Sequence, residues 1–157
     1  MLMQFQSFLT FENIYMWSNL GILPFWIMLI FIPNSKFTGF FVNSIVFPLV
    51  LSSSYIYIIY KSVVMEESIL DFFKIHLHLE GLYTILSTES FLAMFWLHFI
   101  SVNIFLGSWI ARDGIKYNIP ISIVAVPLVL VYFAGPAGLV LYWIVRIFYS
   151  KKISFHD

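Results

Sequence analysis

Four long apolar segments are the feature that most restricts how this chain folds. Each has roughly the 20 residues that an α-helix needs to cross a hydrocarbon core about 30 Å thick. Only 10% of the residues are charged, whereas soluble domains use about a quarter of theirs because so much of their surface meets water. The sequence therefore predicts an all-α integral membrane protein.

The predicted membrane helices are residues 14–33, 41–60, 86–111 and 119–148. Short polar connections rich in turn-forming residues, "PNSKFTG" and "RDGIKYN", follow the first and third helices. Such short connections place consecutive helices antiparallel beside each other. We therefore expect one membrane domain over residues 1–157, built as a bundle of four transmembrane helices.

A longer connection, residues 61–85, joins the second and third predicted helices. Its apolar residues recur near helical spacing, at Ile69, Phe72, Phe73 and Leu77. Its acidic residues Glu66 and Glu67 precede Ile69, and Asp71 follows it. This pattern predicts a short helix that lies in the membrane interface with its acidic side towards water.

Charge limits the partners and the orientation. The formal net charge is zero, and no basic cluster indicates nucleic acid, so the lipid bilayer is the expected partner. Basic residues favour the side that carries both termini and the middle connection, which predicts cytoplasmic termini. The chain has no cysteine, which excludes disulfides and thiolate metal sites, and we predict neither a metal site nor a cofactor.

Three polar side chains interrupt the third predicted helix: Glu89, His98 and Asn103. Helical spacing puts Glu89 and Asn103 on one small or polar stripe, which also contains Ala93, Trp96, Ile100 and Gly107. Such a stripe suits close packing against other helices. His98 lies about half a turn from Glu89, so an ideal helix does not bring these two side chains to one site.

Each polar residue has a structural and a functional interpretation. Glu89 fits either a solvated or capping residue in "STES" or a proton-transfer group. His98 fits a neutral imidazole bonded to a carbonyl of another helix, but the cost of about 2.5 to 3.5 kcal/mol for an ionisable group at mid-membrane favours function. Asn103 fits interhelical hydrogen bonding.

Prolines and aromatic residues add two further patterns within the predicted helices. Pro24, Pro48, Pro127 and the "GPAG" of residues 135–138 predict kinks, which serve either packing or the opening of a cavity. The aromatic residues fit either an interfacial belt or the lining of a cleft for a long conjugated ligand, and include Trp17, Trp26, Trp109, Tyr142 and Trp143.

Three segments, "NLGILPFW", "WLHFISVNIFLGSWIARDG" and "YFAGPAGLVLYWIVR", resemble in order and spacing the signatures of the abscisic-acid-deficient-four-like family. These are small membrane proteins linked in plants to neoxanthin formation. The resemblance covers about residues 19–146. It implies a four-helix membrane protein connected with carotenoids, and the associated plant conversion is that of violaxanthin, an epoxide, to neoxanthin, an allene.

The resemblance is carried by individual positions. The matching residues are Asn19, Pro24, Trp26, Glu89, Trp96, His98, Arg112, Asp113, Gly135, Pro136 and Gly138. Two positions depart from the family pattern, because Asn103 replaces an aspartate and Phe99 replaces a common tyrosine. An amide does not exchange a proton as a carboxylate does.

The resemblance and the polar residues suggest three functions. The first is acid–base isomerisation of a carotenoid or related isoprenoid without a redox cofactor, with His98 and Glu89 as catalytic groups and Arg112 and Asp113 organising the membrane edge. The second is a non-enzymatic carotenoid-binding or assembly protein, which needs aromatic walls and shape rather than titratable groups. The third, a small transporter, is less favoured because the chain has no inverted repeat.

Overall fold

The computed structural model describes residues 9–44, 46–65 and 78–151, and the regular secondary structure in these ranges is helical. The helices are α1 (Phe11–Phe31), α2 (Lys36–Phe41), α3 (Val46–Met65), α4 (Leu79–Leu86), α5 (Glu89–Lys116) and α6 (Ile121–Ser150). The predicted interfacial helix with Ile69, Phe72, Phe73 and Leu77 lies outside the described residues.

Three helices, α1, α5 and α6, are long and apolar enough to cross a membrane. Large apolar side chains are exposed along all three, including Trp17 and Phe31 on α1, Phe105 on α5 and Phe148 on α6. A water-soluble protein rarely exposes so much apolar surface, whereas acyl chains solvate it. The helices therefore confirm the predicted all-helical class and support a membrane location.

The predicted second membrane helix corresponds to α3, which begins five residues later than residue 41 and is not one of these three candidates. Three helices among the described residues are therefore candidate membrane spans, and the bundle of four transmembrane helices stays a prediction.

The chain forms two compact units. Unit 1 comprises Met1–Gly21 and Leu49–Phe99, and unit 2 comprises Ile22–Pro48 and Ile100–Asp157. Aliphatic side chains fill the interior of unit 1, among them Ile58 and Leu97. The interior of unit 2 contains aliphatic residues such as Leu29 and Leu128 together with the polar residues Asn103 and Arg146.

Within unit 2, α6 breaks and folds back on itself. Ala134 has a non-helical backbone, with φ −146° and ψ 65°. A Cβ placed on Gly138 would lie 2.8 Å from the carbonyl oxygen of Pro127 and would collide with the backbone nitrogen of Val131. In a straight helix, residues 127 and 138 are roughly 16 Å apart along the axis. Residues 121–133 and 135–150 are therefore two legs of a helical hairpin, and only glycine allows their backbones to approach so closely.

The contacts of α5 with α6 give the direction of each leg. Gly114 of α5 lies against Val124 at the start of the first leg, and Asn103 lies against Gly135 at the break. Asp113, near the same end of α5 as Gly114, bonds Arg146 near the end of the second leg. The first leg therefore runs antiparallel to α5 and the second runs back parallel to it.

The predicted membrane helix over residues 119–148 corresponds to α6, which contains this break at Ala134 in the segment where "GPAG" predicts a kink. The apolar run is where the sequence places it, but legs of 13 and 16 residues are only about 20 and 24 Å long. Residues 117–120, which connect α5 to α6, and the C-terminal end of α6 lie at the same end of α5. The side of the membrane on which the two termini lie stays a prediction.

Candidate functional site

In unit 1, a hydrogen bond joins residues from two of the sequence motifs. The indole Nε1 of Trp96 donates to the side-chain oxygen of Asn19 at 3.0 Å. The amide nitrogen of Asn19 donates to the carbonyl of Tyr15 at 2.8 Å, and the ring of Tyr15 lies 5.6 Å from that of Trp96. The contact therefore fixes the orientation of an aromatic surface, which continues to Phe99 at 5.3 Å from Trp96.

His98 is exposed, and so is Glu89. This exposure does not fit the structural interpretation of His98 as an imidazole held in a helix interface. Its ring lies beside that of Tyr55 in unit 1, with the centroids 6.3 Å apart. Because His98 and Glu89 are on nearly opposite sides of α5, the fold keeps these two proposed catalytic residues apart.

The hydroxyl groups before Glu89 cap the preceding helix rather than α5. Ser87 Oγ donates to the carbonyl of Tyr83 at 2.8 Å, and Thr88 Oγ1 donates to that of Ile85 at 2.8 Å. The hydroxyls of "STES" therefore bond carbonyls at the end of α4, whereas the sequence suggested that they cap the start of the helix that contains Glu89. Glu89 stands in the first turn of α5, where a carboxylate interacts favourably with the helix dipole.

The most polar cluster of unit 2 joins α5 to the second leg of α6. Asp113 Oδ2 accepts from Arg146 Nε at 2.7 Å and from the Tyr142 hydroxyl at 2.6 Å. Arg146 Nη2 donates to the Tyr117 hydroxyl at 3.1 Å. Arg146 is only 1% exposed and Asp113 only 10%, so two opposite charges are neutralised within a largely dry contact.

We call Asp113, Tyr117, Tyr142 and Arg146 the Asp113–Arg146 cluster. Aromatic rings cover its ion pair. The Arg146 guanidinium lies 4.8 Å from the rings of both Tyr117 and Trp143. Trp109 stacks on Trp143 at 6.2 Å and meets Tyr142 edge-on at 5.7 Å. These contacts hold the second leg against α5, since the planar guanidinium uses both its edge and its faces.

The motif comparison singled out Arg112 and Asp113 but missed Tyr117 and Arg146. Arg112 is exposed, and among the described residues it has no hydrogen bond or ion pair. Spacing offered a signal for the missing partners, because Asp113 and Tyr117 are four residues apart, as are Tyr142 and Arg146. Tyr142 and Arg146 therefore face one side of α6, and Tyr117 follows Asp113 by one turn, just after the end of α5.

A second polar feature of unit 2 lies at the break in α6. Asn103 is 4% exposed, and its side-chain nitrogen has no hydrogen-bond partner within the described part of the chain. A Cβ on Gly135 would collide with the Asn103 side-chain oxygen, so glycine is needed for the close approach. Pro136 follows, and lacking an N–H it does not supply the usual helical donor to the carbonyl of Tyr132.

Trp26 of α1 packs against α5 at Gly107, one turn after Asn103. A Cβ on Gly107 would lie 2.7 Å from the Trp26 ring, and Trp26 meets Tyr132 edge-on at 5.5 Å. Trp26 is buried, whereas Pro24, two residues earlier, is exposed. Gly107, which belongs to the predicted stripe, therefore admits an indole to the surface of α5, and Gly135 admits an amide to the surface of α6.

These groups differ in the chemistry they offer. Among the described residues, no three His, Asp or Glu side chains lie close enough to hold a metal ion. Asp113 is already engaged by Arg146 and Tyr142, so it is poorly placed to accept a substrate proton. Asn103 offers a buried hydrogen-bond donor, and His98 and Glu89 are titratable groups on exposed surface.

Fold and site together define an all-helical membrane protein that carries polar side chains at helix contacts. A family model, ABA DEFICIENT 4-like, matches residues 13–142. The chain belongs to the ABA DEFICIENT 4-like family, which is related to neoxanthin and carotenoids. The comparisons with curated proteins and with solved structures each found no significant match.

Proposed function

We propose that this chain is an integral membrane protein of carotenoid or related isoprenoid metabolism that binds its ligand among apolar helices. Membership of the ABA DEFICIENT 4-like family over residues 13–142 is the observation that carries the proposal. The apolar exposed surfaces of α1, α5 and α6 support it, because an isoprenoid dissolved in a bilayer reaches such a protein from the lipid. In this proposal α3 also lies in the membrane, as the fourth helix of a bundle.

The geometry favours binding over catalysis as the role of this chain. His98 and Glu89 point from nearly opposite sides of α5, and both are exposed. Asp113 is engaged in an ion pair, and Asn103 has an amide where the family pattern has a carboxylate. Binding needs only shape, aromatic walls and a few polar contacts, which Asn19, Trp96 and Phe99 of unit 1 supply in this proposal.

Isomerisation of a carotenoid epoxide is the second candidate, favoured by the contact of His98 with Tyr55. An imidazole beside a phenol offers a base and an acid on one exposed surface of unit 1. In such a reaction one group protonates the epoxide oxygen while another removes a carbon-bound proton, so the carbon–oxygen bond opens to an alcohol and an allene without a redox step. Glu89 would act from its own side of α5 on a second part of the ligand.

Expression in a carotenoid-producing host distinguishes the two candidates. The protein is purified in detergent, and its pigment is measured by absorption and separated by chromatography. We expect pigment to copurify without conversion to an isomer, and the amount retained to be unchanged in His98→Ala and Glu89→Gln. The matched controls are His78→Ala and Glu80→Gln, because His78 and Glu80 are exposed residues of the same types in unit 1.

An isomeric product that disappears in His98→Ala but persists in His78→Ala would establish the second candidate instead. A purified protein that retains no pigment and forms no product, while remaining monodisperse in detergent, would contradict both.

A further inference from the structure

We propose that the Asn103 side chain, at the break of the α6 hairpin, binds the oxygen of an otherwise apolar ligand. The site consists of the Asn103 amide, the Gly135 backbone against it and the irregular backbone at Ala134. The isoprenoid class of the ligand rests on the proposed function. The requirement for an acceptor oxygen rests on the side chain alone.

The amide nitrogen of Asn103 is a donor that a ligand oxygen would satisfy. It is buried and has no hydrogen-bond partner in the described ranges. A buried donor without an acceptor is costly, about 1 to 3 kcal/mol, and buried polar groups in proteins are nearly always paired. Since the neighbouring Ile100 and Ile104 of α5 are buried and apolar, a ligand that supplies an oxygen there removes this cost and gains specificity.

The irregular backbone of α6 beside Asn103 also favours a ligand site. Pro136 withholds the i−4 hydrogen bond from the carbonyl of Tyr132, and Ala134 leaves the helical conformation next to it. Membrane proteins place non-helical backbone where it is buried in protein or lines a binding cavity. A hydroxyl oxygen suits this position best, because it accepts from Asn103 while its hydrogen is available to a backbone carbonyl.

An aromatic contact near the break offers apolar walls for such a ligand. Trp26 and Tyr132 meet edge-on beside the break, and Trp26 packs on Gly107, four residues from Asn103 on α5. The amide therefore has rigid aromatic neighbours one turn away, which form apolar walls for the hydrocarbon part of a ligand. Polar groups in an apolar pocket fix the orientation of a ligand in this way.

The test compares two probes with one hydrocarbon skeleton, β-carotene and its dihydroxylated form, zeaxanthin. Affinity is measured with the full chain in detergent from the quenching of its five tryptophans. We expect the wild type to bind zeaxanthin about tenfold more tightly than β-carotene, the scale of one buried hydrogen bond. Asn103→Leu should abolish this preference, whereas Asn43→Leu, which removes another amide from unit 2, should retain it.

A second measurement does not depend on the variant folding. With the asparagine side chains of the wild type labelled with ¹⁵N, we expect zeaxanthin, but not β-carotene, to shift the Asn103 amide resonance. A preference that survives in folded Asn103→Leu, or a resonance that neither probe moves, would overturn the site while leaving the proposed function intact. Equal affinity of the wild type for both probes would also overturn the site. Failure to bind either probe would overturn the proposed function itself.

Discussion

At the scale of single residues, the Asp113–Arg146 cluster shows how a membrane helix accommodates charge. The carboxylate accepts from both Arg146 and Tyr142, and the guanidinium donates to Tyr117 as well. Each charged group is therefore paired and hydrogen-bonded, which offsets the cost of removing it from water. We interpret the cluster as a structural contact between α5 and α6.

The cluster predicts a large cost for removing one partner. Arg146→Met leaves the Asp113 carboxylate nearly buried and without its counter-ion, so we expect the free energy of unfolding to fall by about 3 to 5 kcal/mol. The measurement is denaturant or thermal unfolding in detergent micelles. Arg112→Met is the matched control, because Arg112 is an exposed neighbour of Asp113, and its effect should stay within about 0.5 kcal/mol. Equal effects of the two substitutions would contradict this interpretation.

Two glycines allow a second test of packing at single positions. A Cβ on Gly135 would collide with Asn103, whereas one on Gly21 in α1 meets no atom within 4 Å. Gly135→Ala should therefore destabilise the protein by about 1 to 3 kcal/mol, the usual range for overpacking. Gly21→Ala should stabilise it by up to about 1 kcal/mol, because alanine is the better helix former. The measurement is the same unfolding experiment, and a stabilising Gly135→Ala would show that the two helices are not in close contact there.

At the scale of elements, the hairpin of α6 is the main departure from the helices that the sequence predicts. Hydropathy identifies an apolar run but is blind to a reversal inside it, because both legs of the hairpin are apolar. The reversal depends on the backbone angles of Ala134 and on Gly138 resting against Pro127 and Val131. The "GPAG" segment indicates a bend, yet its angle follows from contacts that are distant in sequence.

The hairpin predicts that both ends of α6 reach the same side of the membrane. Because the chain has no native cysteine, single cysteines report on each position without background. We expect Asn118→Cys and Lys151→Cys to react with a membrane-impermeant maleimide from one side of sealed vesicles. Phe133→Cys, beside the break, serves as the control and should be protected. Labelling of positions 118 and 151 from opposite sides would show that α6 crosses the bilayer once.

At the scale of the whole molecule, the sequence predicts where the helices lie better than it predicts which side chains they bury. Helix positions follow from long apolar runs and from turn-forming residues between them, so α1, α5 and α6 occur close to the predicted ranges. Burial is harder, because apolar residues face both protein and lipid. On α5, for example, Leu97 is buried while Phe105 is exposed.

The same limit applies to the candidate site. The free-energy cost of an ionisable group at mid-membrane singles out His98 in the sequence. Only the fold reveals that its side chain is exposed. The predicted stripe on α5 was more informative, because small residues indicate close packing whatever the solvent is. Ala93, Ile100, Asn103 and Gly107 of that stripe are all buried, and the burial of the Asn103 amide follows from its position there.

The claim on which the account depends is that the intact chain binds an isoprenoid at a defined site. Titration of the detergent-solubilised protein with zeaxanthin, followed by tryptophan fluorescence, tests it most directly. We predict quenching that saturates at a fixed ratio of ligand to protein, with a ratio that does not change when the detergent concentration is doubled. Quenching that rises without saturation and weakens in proportion to added detergent would indicate simple partition into micelles, and would contradict the claim.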